Sequence, residues 1–141
     1  MDYTRHSDSR LFGLAAIPMQ DPNAAYDELK RVIENGFLGG CIPCTAPAEA
    51  PYHDSCYEAV WTLAEEAGFP LSMHVGTNAY LPHEFRPNNA KRDPIADYAN
   101  TQSTIQRTLT DLICRGVATR QPNLKFVVAE FNGGWSGHWL D

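Results

Sequence analysis

The stretch "GFPLSMHVGT" (residues 68–77) carries the fold in miniature. Gly68 stops a helical pattern, an apolar run follows, and His74 sits near its end. The run is too short for a helix and lacks strict polar alternation. Those are the marks of a strand buried on both faces, as in parallel sheets. Three further runs share the pattern: "RLFGLAAIP" (10–18), "FLGGCIPC" (37–44) and "LKFVVAEF" (124–131). Each is bounded by Gly, Pro, Asn or Asp.

Helical patterns fill the intervals. In "DPNAAYDELKRVIENG" (21–36) Asp21 is placed to cap, Pro22 takes the first helical position, and Ala25, Leu29, Val32 and Ile33 form one apolar face up to Gly36. In "DSCYEAVWTLAEEAG" (54–68) Ser55 and Glu58 have capping-box spacing, and Tyr57, Val60, Trp61 and Ala64 make the stripe. A third helix lies within 101–123, with Ile105, Leu109, Leu112, Ile113 and Val117 on its face. The order is β-α-β-α-β-α-β, which predicts one domain of parallel β/α units. An open doubly wound sheet and a sector of a barrel both satisfy that order. The connection 77–100 is far longer than the others. A loop beyond ~12–15 residues in a compact domain is usually functional or disordered.

Composition narrows the partners. The chain has 141 residues, 43% hydrophobic and 20% charged, with a net charge of −6. That size suits one domain with one core. The acidic balance argues against a nucleic-acid or anionic-membrane surface and favours a small-molecule substrate. No run reaches the ~20 apolar residues of a membrane span, and the polar N-terminus lacks a secretory apolar core. Cys41-Ile-Pro-Cys44 has C-x-x-C spacing, which admits a zinc half-site or a redox pair. Cys56 and Cys114 form no second pair, so reduced thiols in a cytoplasmic protein are the expectation.

The carboxyl ends of parallel strands share one edge, where α/β folds place their sites. That edge gathers Gln20 and Asp21, then Cys44, Thr45, Tyr52 and His53, then His74, Thr77, His83, Glu84 and Arg86, and finally Glu130 and Asn132. Imidazole is the commonest neutral metal ligand and titrates near neutral pH. A lone strand-end histidine is more often hydrogen-bonded structure, and loop residues such as His53 and His83 are more often solvated. Glu130 is more pointed, because a carboxylate seldom ends an apolar strand without a partner. No G-x-G-x-x-G, P-loop, G-x-S-x-G or H-E-x-x-H motif occurs, which removes the usual support for nucleotide binding and serine hydrolysis.

Three segments together resemble the amidohydrolase-related family. They are "RLFGLAAIPMQDPNAAYDELKRVIENGFLGG", "YHDSCYEAVWTLAEEAGFPLSMHVGT" and "FVVAEFNGGWSGHWLD". That family comprises metal-dependent hydrolases and decarboxylases on a (β/α)₈ barrel, including the aminocarboxymuconate-semialdehyde decarboxylase type. The resemblance implies a partial TIM barrel, α/β in class, over residues 1–141 and corresponding to about strands three to six. It implies that His74 ligates a divalent metal, zinc ahead of manganese or iron, in the complete enzyme. Glu130 then stands where many members carry a catalytic histidine. His53, His83, Arg86 and Asn132 are the substrate-binding candidates, Arg86 as a carboxylate partner by its fork geometry. The family's first-strand H-x-H pair and last-strand metal-binding Asp have no counterpart here, and Asp141 follows too soon to be that Asp. The chain is therefore expected to be an inactive fragment that can self-associate through open sheet edges. Two readings from other classes remain beside it: a non-catalytic α/β binding or vestigial module, and a flavodoxin-like domain.

Overall fold

The computed structural model describes residues 10–77 and 101–140, together with Thr4, His6, Ile95 and Ala99. Four strands form one parallel sheet: β1 (Leu14–Ala16), β2 (Gly39–Ile42), β3 (Leu71–His74) and β4 (Phe126–Ala129). Between them run α1 (Pro22–Glu34), a 3₁₀ turn (Ser55–Tyr57) leading into α2 (Glu58–Glu66), then α3 (Thr101–Cys114) and α4 (Val117–Arg120). A last short helix, α5 (Gly137–Leu140), follows β4.

The spatial strand order is β1-β2-β3-β4, the same as the chain order. A doubly wound sheet reverses direction at a switch point, whereas a barrel winds one way throughout. Sequential order therefore resolves the two architectures that periodicity leaves open, and it excludes the flavodoxin-like arrangement. Burial agrees. Ala15, Ile17, Ile42, Leu71 and Met73 share one core with Leu29 and Val32 of α1, Val60 and Trp61 of α2, and Ile105 and Leu112 of α3. The alternate positions point the other way: Leu14 is 58% exposed, Val127 is 46% exposed, and His74 is exposed. The apolar runs suggest strands covered on both faces; among the described residues only one face is covered. This is the arrangement of a barrel sector, a partial TIM barrel of parallel β/α units.

Local chemistry sets the element ends. The Asp21 carboxylate accepts the N–H groups of Asn23 (2.9 Å) and Ala24 (3.2 Å), two donors that α1 leaves free. Gly36 and Gly68, at φ 75 and 61, take the left-handed conformation that stops α1 and α2. The Ser55–Glu58 capping box does not form. Asp54 is the cap instead, accepting the Cys56 N–H at 2.9 Å, and it starts the 3₁₀ turn one residue earlier. The third helical pattern divides at Gly116 into α3 and α4, and Ile113 turns out 53% exposed. Its neighbour Leu112 fills the core position on that turn.

Candidate active site

The site edge is built on an aromatic wedge. Tyr52, Tyr57 and Trp61 are buried with ring centroids 5.5 to 5.7 Å apart. The Tyr57 hydroxyl donates to the Met19 carbonyl (2.6 Å), and the Tyr52 hydroxyl donates to the Pro43 carbonyl (2.8 Å). Trp61 Nε1 donates to the Tyr52 carbonyl (3.1 Å). The wedge thus fastens the carboxyl ends of β1 and β2 to α2. Tyr52, a strand-edge candidate in the sequence, is committed to this framework, and Asp21 to its helix cap.

Two site candidates meet. His74 ends β3, paired with Ala129, and Glu130 follows directly on β4. His74 Nε2 lies 3.4 Å from Glu130 Oε2, with the two side chains 46% and 66% exposed. The other ring nitrogen, Nδ1, lies 2.7 Å from the Val75 carbonyl oxygen. The Val75 carbonyl and the Glu130 carboxylate both only accept, and the Val75 contact is much the shorter, so in the neutral ring Nδ1 carries the proton and Nε2 lies at the rim. Glu130 and Asn132 both have positive φ, 64 and 55, while Phe131 between them is buried. The anchored Phe131 holds this left-handed turn, and Trp135 Nε1 donates to its carbonyl at 2.9 Å. The turn lifts Glu130 off the strand and toward His74.

The other candidates are spread along the edge. Asn132 stands in the same β4 turn. His53 is half-buried in the loop after β2, where its Nδ1 and the Thr45 hydroxyl are buried without a hydrogen-bond partner among the described residues. His83 and Arg86 lie outside the described residues. Two residues that sequence reasoning placed on this edge without a role prove to be structural partners of His74. The Thr77 hydroxyl donates to the His74 carbonyl (2.6 Å), and Cys44 Sγ lies 2.7 Å from the same oxygen. Burial pushes the Cys44 and Cys41 thiols up from their ordinary range, so Cys44 stands there as a neutral donor. All four cysteines are unpaired thiols.

A catalytic zinc site has three protein ligands. Among the described residues no group of three or more His, Cys, Asp and Glu is placed to hold a metal ion. His74 and Glu130 supply an imidazole nitrogen and a carboxylate, the right donor types but one short of that set. No described helix is long and apolar enough to cross a membrane.

Similarity to known proteins follows the same lines. An amidohydrolase of Mycobacterium avium subsp. paratuberculosis K-10 superposes with a TM-score of 0.79 at 26% identity, covering 94% of this chain and 35% of its own. The 2,6-dihydroxybenzoate decarboxylase from Rhizobium gives 0.75 at 22% identity, covering 99% and 44%. The 5-carboxyvanillate decarboxylase from Sphingomonas paucimobilis gives 0.69 at 23%, covering 91% and 38%. This chain therefore spans less than half of each of these structures. No curated protein sequence matches it. The family model for amidohydrolases, whose members generally use a divalent metal, matches residues 1–140. The chain belongs to the amidohydrolase family.

Proposed function

We propose that this chain carries part of the active-site rim of a metal-dependent hydrolase or carboxy-lyase acting on a small carboxylated or cyclic compound. The observation that carries the reading is the meeting of His74 Nε2 and Glu130 at 3.4 Å on the open carboxyl edge of β3 and β4. His74 serves as a metal ligand through Nε2. A bound divalent ion would polarise a carbonyl or lower the pKa of a water. Glu130 holds or transfers a proton at Oε2, and Asn132, His53, His83 and Arg86 are the candidates for binding substrate. Fold neighbours that are decarboxylases, one of them complexed with 2,6-dihydroxybenzoate, support a carboxylated substrate. Zinc is the first candidate, then manganese or iron.

The remaining ligands would come from barrel elements outside this sequence, which contains no H-x-H. On that reading the isolated chain binds metal weakly and does not turn over substrate. The shortage of ligands among the described residues equally favours a non-catalytic binding module, and one measurement separates the two. Equilibrium dialysis against zinc or manganese should load the wild-type chain, and His74→Ala should lower its affinity at least tenfold. His74 is exposed, so that variant should remain folded. A wild-type chain that takes up neither ion, or a His74→Ala variant that retains full uptake, overturns the metal reading in favour of the binding module.

A further inference from the structure

The residues after His74 form a tight turn whose hydrogen bonds reach the histidine and the neighbouring strand ends. The Thr77 N–H reaches the His74 carbonyl at 3.3 Å, and the Thr77 hydroxyl donates to the same oxygen at 2.6 Å. That hydroxyl also accepts the Cys44 backbone N–H at 3.2 Å, across from the end of β2. Cys44 Sγ lies 2.7 Å from the His74 carbonyl, and the Cys44 carbonyl accepts the buried Thr108 hydroxyl of α3 at 2.6 Å. The start of the turn is thus fixed to β2 and through it to a helix. Gly76 occupies the third turn position at φ 85. A positive φ there is the type II signature, in which the central peptide is flipped relative to type I. The carbonyl of that peptide belongs to Val75, and it is the group that accepts from His74 Nδ1.

We infer that the His74–Thr77 turn is a device that fixes the histidine tautomer, with Thr77, Gly76 and Cys44 as positioning residues. Thr77 and Cys44 hold the His74 end of the turn, and the left-handed backbone of Gly76 aims the Val75 carbonyl at Nδ1. In the neutral ring the proton is thereby kept on Nδ1 and the Nε2 lone pair is left open at the rim. Partners that orient a ligating histidine typically change metal affinity by about 10–100-fold when removed. The importance of the tautomer rests on the proposed role of His74, but the tautomer itself is measurable without any metal.

The test is ¹⁵N NMR of the histidine side chains in the metal-free chain, at a pH where the imidazole is neutral. Wild-type His74 should show a protonated Nδ1 and an unprotonated Nε2. Thr77→Val removes the donor and should mix the tautomers, drawing the two nitrogen shifts together, while Thr77→Ser should restore the wild-type separation. Gly76→Ala should mix them too, by strain on the backbone, since a Cβ there meets nothing within 4 Å. It carries the test if Thr77→Val does not fold. In dialysis, Thr77→Val should weaken zinc binding roughly tenfold. A wild-type ring protonated on Nε2, or a folded variant with an unchanged tautomer, overturns the inference. A tautomer shift in a chain that binds no metal upholds the turn's role and sinks the metal reading alone.

Discussion

Glu130 sits on an unfavourable backbone. At φ 64 an L side chain crowds the neighbouring carbonyl, and a β-branched one crowds it most. Glu130→Val should therefore cost about 1–2 kcal/mol in urea denaturation, whereas Glu130→Gly should be neutral or slightly stabilising. Equal midpoints for the two would show that the turn is unstrained. His74 and Glu130 were legible in the sequence because each is a polar residue closing an apolar run. Their separation was not, since it depends on β3 lying beside β4 and on the left-handed turn at Glu130. The bond from Cys44 to His74 escaped for the same reason: it joins the ends of two strands that a linear reading cannot align. His53 was legible as a loop histidine, but its buried Nδ1 was not, because burial there is set by the fold of the whole loop.

At the scale of elements, helix starts show how near alternatives compete. Asp54 and Ser55 are adjacent and both can cap, and the carboxylate takes the Cys56 N–H. That bond, the largest cause, holds the Asp54 carboxyl below its ordinary range. A depressed carboxylate stabilises the fold above the unfolded-state pKa of about 4 and loses that contribution as pH falls through its lower folded value. Thermal midpoints of wild type and Asp54→Asn should thus differ at neutral pH and converge in acid. A constant gap down to the lowest pH at which the chain folds would rule the capping carboxylate out as its origin. The four strands and the course of α1 and α2 were readable because burial and propensity agree along them. The break at Gly116 and the outward turn of Ile113 were not, since a helical stripe three residues wide does not say which of two adjacent apolar residues meets the core.

For the molecule as a whole, sequential strand order was the decisive fact, and no local signal in the chain encodes it. Among the described residues the order leaves a helix-covered face and an open one, on which Leu14 and Val127 stand exposed at the two outer strands. Exposed apolar surface beside free strand edges drives association. The purified chain should therefore grow in apparent mass with concentration on light scattering, and Leu14→Glu with Val127→Glu should return it toward 15.7 kDa. A wild-type chain that stays monomeric across the concentration range would contradict this. Sequential winding also has a consequence in time. Each strand docks on one already made, so the sheet can grow in the order in which the chain is synthesised. Gly40 pairs with Leu71, but Leu71 must then wait for Phe126, across a chain segment nearly twice as long. Closing the longer segment costs roughly 0.5 kcal/mol more in chain entropy. The β3–β4 pairing is also the one that brings Glu130 to His74, so the rim of the site exists only once β4 has docked and is lost when β4 lets go.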